Sequence, residues 1–196
     1  MKTVNHQFLK ESWFIPKWEC STLIIGSFNP ECGEETDFFY GRGRNRFWKA
    51  VAHIQGLDWS YYQDDQHGLE RKLSRLKSCK VGCVDIIRTL KVEEGFIDRI
   101  CGQGYADGNL FNLGNVERGY NTDDIQNRLS KGDVKQIVCC LGARIGPNEF
   151  LTEKEKLRNY CDKHEVRFID DQMTFSGYGG LTVANIAKYL TPFFQC

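Results

Sequence analysis

Four short, mostly apolar runs constrain the fold of this chain more than any other feature. They lack a clean polar and apolar alternation and lie at residues 22–25, 80–85, 136–141 and 165–169. Runs of this kind are typical of strands that are covered on both faces, as in a parallel sheet. The sequence therefore predicts four buried strands.

Helical patterns separate these runs. They cover residues 45–55, 69–77 and 181–190, and a fourth follows a predicted capping box formed by Thr152 and Glu155. Residues 94–122 are rich in Gly and Asn and are predicted to be loops. Alternating strands and helices predict an α/β fold, a three-layer α/β/α sandwich with a central, mainly parallel four-stranded sheet. One domain is expected to span residues 1–196.

The composition excludes several classes of protein. The 26 basic and 26 acidic residues cancel, so DNA binding has to rest on local clusters of charge. The N-terminal residues lack the apolar run of a signal peptide, and no run approaches the roughly 18 apolar residues of a membrane span. We therefore expect a cytoplasmic protein that has no membrane partner.

The cysteines and histidines give no site of their own. The nine cysteines are odd in number and contain no CxxC pair, so reduced thiols are expected, with Cys139 and Cys140 as small buried hydrophobes. A cluster built on Cys79 and Cys83 is the alternative. The four histidines show no metal-binding spacing, and neither a metal nor a cofactor is predicted.

The segment 23–49 carries most of the chemical information. Its sequence, LIIGSFNPECGEETDFFYGRGRNRFWK, joins a strand end at Gly26 to carboxamides, aromatics and cations. An enzyme that holds a flipped nucleobase needs amides that read the base edge, an aromatic that stacks on the base and cations that bind phosphate. Ligands of parallel sheets bind beyond the carboxyl ends of the strands, where residues 26–40, 85–90 and 142–147 are expected to meet.

This segment resembles the uracil-DNA glycosylase superfamily, in particular its mismatch-specific and hypoxanthine-type branches. The resemblance rests on GSFNP at 26–30, on Tyr40 five residues before Asn45, and on NRFW at 45–48. VGCVDII at 81–87 and VCCLGAR at 138–144 are similar to the second and third strand motifs of the family. The C-terminal loop of the family has no clear counterpart: FSGYGGLTVAN stands in its place.

The residues and the resemblance together suggest three catalytic groups. Asn45 and Asn29 can orient a water or hydrogen-bond a base carbonyl, and Asp85 can hold a water or a base N–H. Each has an ordinary alternative: Asn45 as a helix N-cap, Asn29 as part of an Asn-Pro turn, and Asp85 as the cap of a turn.

The binding residues follow from the same motifs. Tyr40 is predicted to stack on the base, whereas Phe38 and Phe39 are predicted to be core. The resemblance implies that the loop residues Gly26, Ser27 and Phe28 also contact the substrate. Candidate phosphate-binding residues, or alternatively parts of a solvated face, are Arg42, Arg44, Arg46, Lys49 and Ser176.

The resemblance implies a monofunctional DNA glycosylase. Such an enzyme hydrolyses the N-glycosidic bond of a deaminated or damaged base, for example uracil or hypoxanthine, in base excision repair. The expected partner is DNA that contains a modified or mismatched base, and a monomer is expected. The alternatives are an inactive nucleic-acid- or nucleotide-binding domain of the same fold and an unrelated nucleotide-handling α/β enzyme.

Overall fold

The computed structural model describes most of the chain. The described residues are 1–102, 116–141, 148–171, 173–175 and 181–196. No helix in these ranges has the length and apolar character needed to cross a membrane.

The central sheet is parallel and has four strands in the order β3-β2-β6-β7. These strands span Thr22–Gly26 (β2), Val81–Asp85 (β3), Gln136–Cys139 (β6) and Arg167–Ile169 (β7). In β2, Leu23 and Ile25 join one core cluster while Ile24 joins the other, so the strand is covered on both faces. The four predicted strands and their parallel arrangement are therefore confirmed.

Helices cover both faces of this sheet. The described helices are Phe47–Ile54 (α1), Gly68–Ser78 (α2), Ile97–Cys101 (α3), Thr122–Leu129 (α4), Asn148–Lys163 (α5) and Val183–Phe194 (α6). Core side chains of α1, α2 and α6 pack on one face, and those of α4 and α5 pack on the other. The predicted three-layer sandwich is thus confirmed.

A second sheet was not predicted. It is antiparallel, in the order β1-β4-β5, and its strands are Lys2–Asn5 (β1), Ile87–Val92 (β4) and Val116–Tyr120 (β5). The prediction of loops over 94–122 was wrong at β5, at α3 and at a 3-10 turn, Glu94–Phe96. Similarly, most of 85–90 is strand rather than loop. These strands pair residues that are far apart in the sequence, such as Lys2 with Val92. A local sequence pattern does not reveal pairing of this kind.

The predicted capping box at Thr152 was also wrong. Helix α5 begins at Asn148, so Thr152 lies inside the helix, where its amide is already in the helical ladder. The capping box that the structure does contain joins Thr182 and Asn185 at the start of α6. The predicted site loop at 142–147 lies outside the described residues.

Two disulfides contradict the expectation of reduced thiols. Cys32 is bonded to Cys101, and Cys79 is bonded to Cys196. The paired residues are 69 and 117 positions apart in sequence, so only the folded chain brings them together. Cys139 is buried as expected, whereas Cys140 is partly exposed.

We expect five free thiols in protein that is denatured without a reductant and nine after reduction, as the cysteine count and the two bonds require. Replacing both Cys32 and Cys101 by Ser should lower the free energy of unfolding by about 2–4 kcal/mol, because the disulfide restricts the unfolded chain. Thiol titration and thermal melting check both results. Nine thiols before reduction would contradict the pairing.

Candidate active site

The site forms where the two sheets join. Asp85 is the last residue of β3, and a single residue, Ile86, separates it from β4 in the second sheet. Its side chain is buried, with 2% of the residue exposed. An ionised carboxylate in such a place requires hydrogen-bond donors around it.

Two donors meet on one oxygen of this carboxylate. Asn29 Nδ2 donates to Asp85 Oδ2 over 2.8 Å, and His6 Nε2 lies 2.8 Å from the same oxygen. Asn29 comes from the loop after β2, and His6 directly follows β1. Three segments that are distant in sequence therefore converge on one atom.

The tautomer of His6 follows from its other nitrogen. The backbone N–H of Phe8 donates to His6 Nδ1 over 3.0 Å, so Nδ1 carries no proton and Nε2–H donates to Asp85. In a nucleophilic triad that second nitrogen would face a serine or cysteine. Here a backbone amide occupies it, so this arrangement does not support nucleophilic catalysis.

The second carboxylate oxygen points elsewhere. Asp85 Oδ1 lies so close to Gly26 that a Cβ added there would be 2.2 Å from it, and the Tyr40 hydroxyl would be 2.8 Å from the same Cβ. Only glycine therefore leaves room for both groups. The structure brings Gly26, Asn29, Tyr40 and Asp85 together, as the strand-end argument predicted.

Tyr40 is held in an unusual conformation. Its φ of +60° is in the left-handed region, which costs a bulky residue roughly 1–3 kcal/mol unless packing compensates. Its ring stacks on Phe47 with centroids 4.8 Å apart and meets Phe175 edge to face at 5.3 Å. One face of the ring is thus already covered, so a base would have to stack on the other face.

The buried hydroxyl of Tyr40 interacts with the Cys140 thiol and has no nitrogen or oxygen hydrogen-bond partner among the described residues. Burial raises the pKa of this phenol well above its usual value, and the neighbouring Cys140, Asp85 and Cys83 raise it further. The phenol is therefore neutral at physiological pH and can donate a hydrogen bond to a bound molecule.

The nearby cysteines are poor nucleophiles. Burial is the main cause that raises the pKa of the Cys140 thiol and that of the Cys83 thiol well above the ordinary value. Since the thiolate is the reactive form, neither residue is suited to covalent chemistry.

Asn45 lies at the start of α1. Its Oδ1 accepts a hydrogen bond from the Phe47 amide over 2.9 Å, which satisfies one of the free N–H groups at the helix start. The ring of Phe47 in turn stacks on Tyr40, so Phe47 links Asn45 to the residues around Asp85. The N-cap position of α1 is Arg46, so the alternative that placed the N-cap at Asn45 is wrong by one residue. The Asn45 side chain nevertheless serves a capping function from the preceding position, because it accepts from the first helical N–H.

The predicted cations differ in their surroundings. Arg46 Nη1 donates to the Leu181 carbonyl, and Lys49 Nζ donates to the Gly43 carbonyl over 3.1 Å. Both side chains thereby brace the loop. Arg44 is exposed and Arg42 is partly buried. Ser176 lies outside the described residues.

The remaining motif residues mostly build the core. Phe28 is buried and meets the His6 ring edge to face at 5.5 Å, so it packs against the site. Ser27 is partly exposed, and its carbonyl accepts from the Ile87 amide over 3.1 Å. Phe38 and Phe39 are fully buried, which confirms their assignment to the core.

Sequence reasoning missed two residues of the site. The motifs that suggested the site contain neither His6 nor Asn121. Asn121 Nδ2 donates to the Asp85 carbonyl over 2.8 Å, and its buried Oδ1 has no partner in the described part of the chain. His6 stands between the polar Asn5, which ends β1, and Gln7, so the local sequence gives no signal that singles it out.

Comparisons with protein-family models, with curated proteins and with solved structures find no match to this chain.

We expect Asn45→Ala to lower the free energy of unfolding by about 1 kcal/mol, because a helix-start N–H loses its acceptor. For a chain of this size the melting temperature should fall by roughly 2–4 °C. Asn45→Asp keeps an acceptor oxygen and should melt close to the wild type. Equal melting of wild type and Asn45→Ala would show that the cap contributes nothing, and Asn45 would again be a candidate for the chemistry.

Proposed function

We propose that this protein is a DNA glycosylase that hydrolyses the N-glycosidic bond of a deaminated or damaged base. One observation carries the proposal: a buried carboxylate at the carboxyl end of the central sheet has one oxygen fixed by His6 and Asn29 and the other beside Gly26 and Tyr40. The motif resemblance to the uracil-DNA glycosylase superfamily supplies the substrate class.

Asp85 fits the demands of this reaction. Hydrolysis needs a water aimed at the sugar carbon and negative charge near the cationic sugar that develops in the transition state. Asp85 Oδ1 can accept a hydrogen bond from such a water and can take its proton as the bond breaks. The fixed Oδ2 keeps the carboxylate from turning away.

Tyr40 and Gly26 shape the place for the base. The face of the Tyr40 ring opposite Phe47 is where an extruded base would stack, a contact worth roughly 1–3 kcal/mol. Its neutral hydroxyl can donate to a base carbonyl, and Asn29 supplies an amide beside it. Gly26 has no side chain, which leaves room for Asp85 Oδ1 and the Tyr40 hydroxyl to lie against its backbone at the edge of this place.

Contacts with the DNA backbone are proposed for the loop before α1. Arg44 is exposed there and can reach a phosphate, whereas Arg46 and Lys49 are engaged with carbonyls of the chain itself. Because the net charge of the chain is zero, the cations of this loop have to provide most of the electrostatic attraction to DNA.

An inactive binding domain of the same fold is the second candidate. It is favoured by the hydrogen bonds of Asn45 and Arg46. These two residues of the best-matched motif bond to backbone groups of the chain itself. A cytoplasmic location stays part of the proposal. The two disulfides are evidence against this location, because cytosolic proteins rarely keep such bonds.

Asp85→Asn should slow single-turnover excision by about 10²–10⁴-fold, the range for a lost general base. Binding to the same DNA should change little, because the carboxylate acts mainly in the transition state. Duplexes and single strands containing uracil, hypoxanthine, xanthine or mismatched thymine are incubated with the protein, and alkali-labile sites are counted. A wild type that binds these DNAs and excises nothing would favour the inactive domain.

A pair of glycine variants provides the matched control. Gly26→Ala introduces a Cβ that collides with Asp85 Oδ1, whereas Gly43→Ala meets no atom within 4 Å. Excision should be lost in the first variant and kept in the second. Full activity of Gly26→Ala would place the chemistry elsewhere.

Arg44→Gln should lower the slope of log affinity against log salt concentration by roughly 0.9 on duplex DNA, the value for one lost phosphate contact. The control is Arg167→Gln, since Arg167 is also exposed but starts β7 at the opposite, amino edge of the sheet. Equal slopes for wild type and Arg44→Gln would make this loop a solvated face.

A further inference from the structure

We infer that His6 is a positioning residue, which sets the orientation of the Asp85 carboxylate and thereby selects the oxygen that acts. This inference rests on the proposed function, since it assigns the partner that prepares Asp85 for water activation. It extends the site to the N-terminal strand, outside every motif that suggested the activity.

The two donors to Asp85 reach the same carboxylate oxygen. A carboxylate turns about its terminal bond and presents either oxygen unless a donor fixes one of them. His6 Nε2–H and Asn29 Nδ2–H both reach Oδ2 at 2.8 Å, so Oδ1 is left to face Gly26 and Tyr40. Neither donor is directed at the oxygen that would act.

His6 is held rigidly in place. The His6 side chain is fully buried, and the Phe8 amide holds its other nitrogen. Its ring also packs, at centroid distances between 4.7 and 5.7 Å, against Phe8, Phe14, Phe28 and Phe39. The His6 amide donates to the Arg88 carbonyl over 2.8 Å, which fixes its backbone to β4. A donor held at so many points can keep its acceptor in one orientation.

His6 is not itself one of the reacting groups. Nδ1 is occupied by a backbone N–H, and Nε2 already carries the proton that it donates to Asp85. His6 therefore has no nitrogen available to accept a proton from water. It acts through Asp85 and is not itself a catalytic residue.

The test compares three substitutions at this position. His6→Leu removes the donor and fills most of the space. His6→Gln places an N–H the same number of bonds from Cα as Nε2, whereas the amide of His6→Asn ends at the level of Nδ1. His53→Gln is the control, because His53 is exposed on α1.

Single-turnover excision and binding are measured with the same uracil- and hypoxanthine-containing DNAs, beside thermal melting. We expect His6→Leu and His6→Asn to excise about 100-fold more slowly, the cost of a reacting group misplaced by about 1 Å. Binding should be unchanged, and His6→Gln should recover most of the rate. If all three variants lose rate only in proportion to their loss of folded protein, His6 is merely structural and the inference is wrong.

A second measurement does not need activity. Nitrogen-15 spectra of histidine-labelled protein should show His6 as the Nε2–H tautomer with a slowly exchanging proton, and Asp85→Leu should abolish that protection. If the wild type excises no base, the proposed function fails and the inferred role in catalysis fails with it. Excision by the wild type combined with an unprotected Nε2–H would overturn the inference about His6 alone.

Discussion

The structure depends on one buried carboxylate. Asp85 ends β3, the edge strand of the parallel sheet, and stands one residue before β4 of the antiparallel sheet. The contacts that hold Asp85 therefore also hold the two sheets together. Burying an ionised carboxylate is costly unless donors surround it, and the chain supplies them from His6 and Asn29, while Asn121 holds the Asp85 carbonyl. Removing one such donor would leave an acceptor unsatisfied in a dry interior, which is the expensive case.

The aromatic motif around this carboxylate serves two purposes. Phe38, Phe39, Phe47 and Trp48 are buried in one continuous core cluster, so the residues that suggested DNA chemistry also build the helix-covered face of the sheet. Tyr40 stands among them with a left-handed backbone and a buried hydroxyl that interacts with the Cys140 thiol. Packing therefore holds one strained residue in a place where its polar atom faces the carboxylate, an arrangement typical of binding sites.

Much of the fold could be predicted from local sequence. The four strands of the parallel sheet are apolar runs, as expected for strands that are covered on both faces. Helices α1, α2 and α6 have clear helical periodicity. In both cases the local sequence pattern agrees with the surroundings of the element in the fold. The antiparallel sheet was missed because β4 is buried at only three of its six positions and is fixed by pairing with β1 across more than 80 residues. The disulfides were missed for the same reason, since cysteine spacing carries no information about which residues meet in space.

For the site, the strand pattern predicts that Gly26, Asn29 and Asp85 lie at the same edge of the sheet, because the ends of parallel strands share one edge. The sequence also predicts the core role of Phe38 and Phe39, and it offers a capping role for Asn45 as one of two alternatives. It contains no sign that His6 meets Asp85 or that a single oxygen takes both donors. His6 and Asp85 are 79 residues apart, and a hydrogen bond between such groups exists only after the sheets have paired.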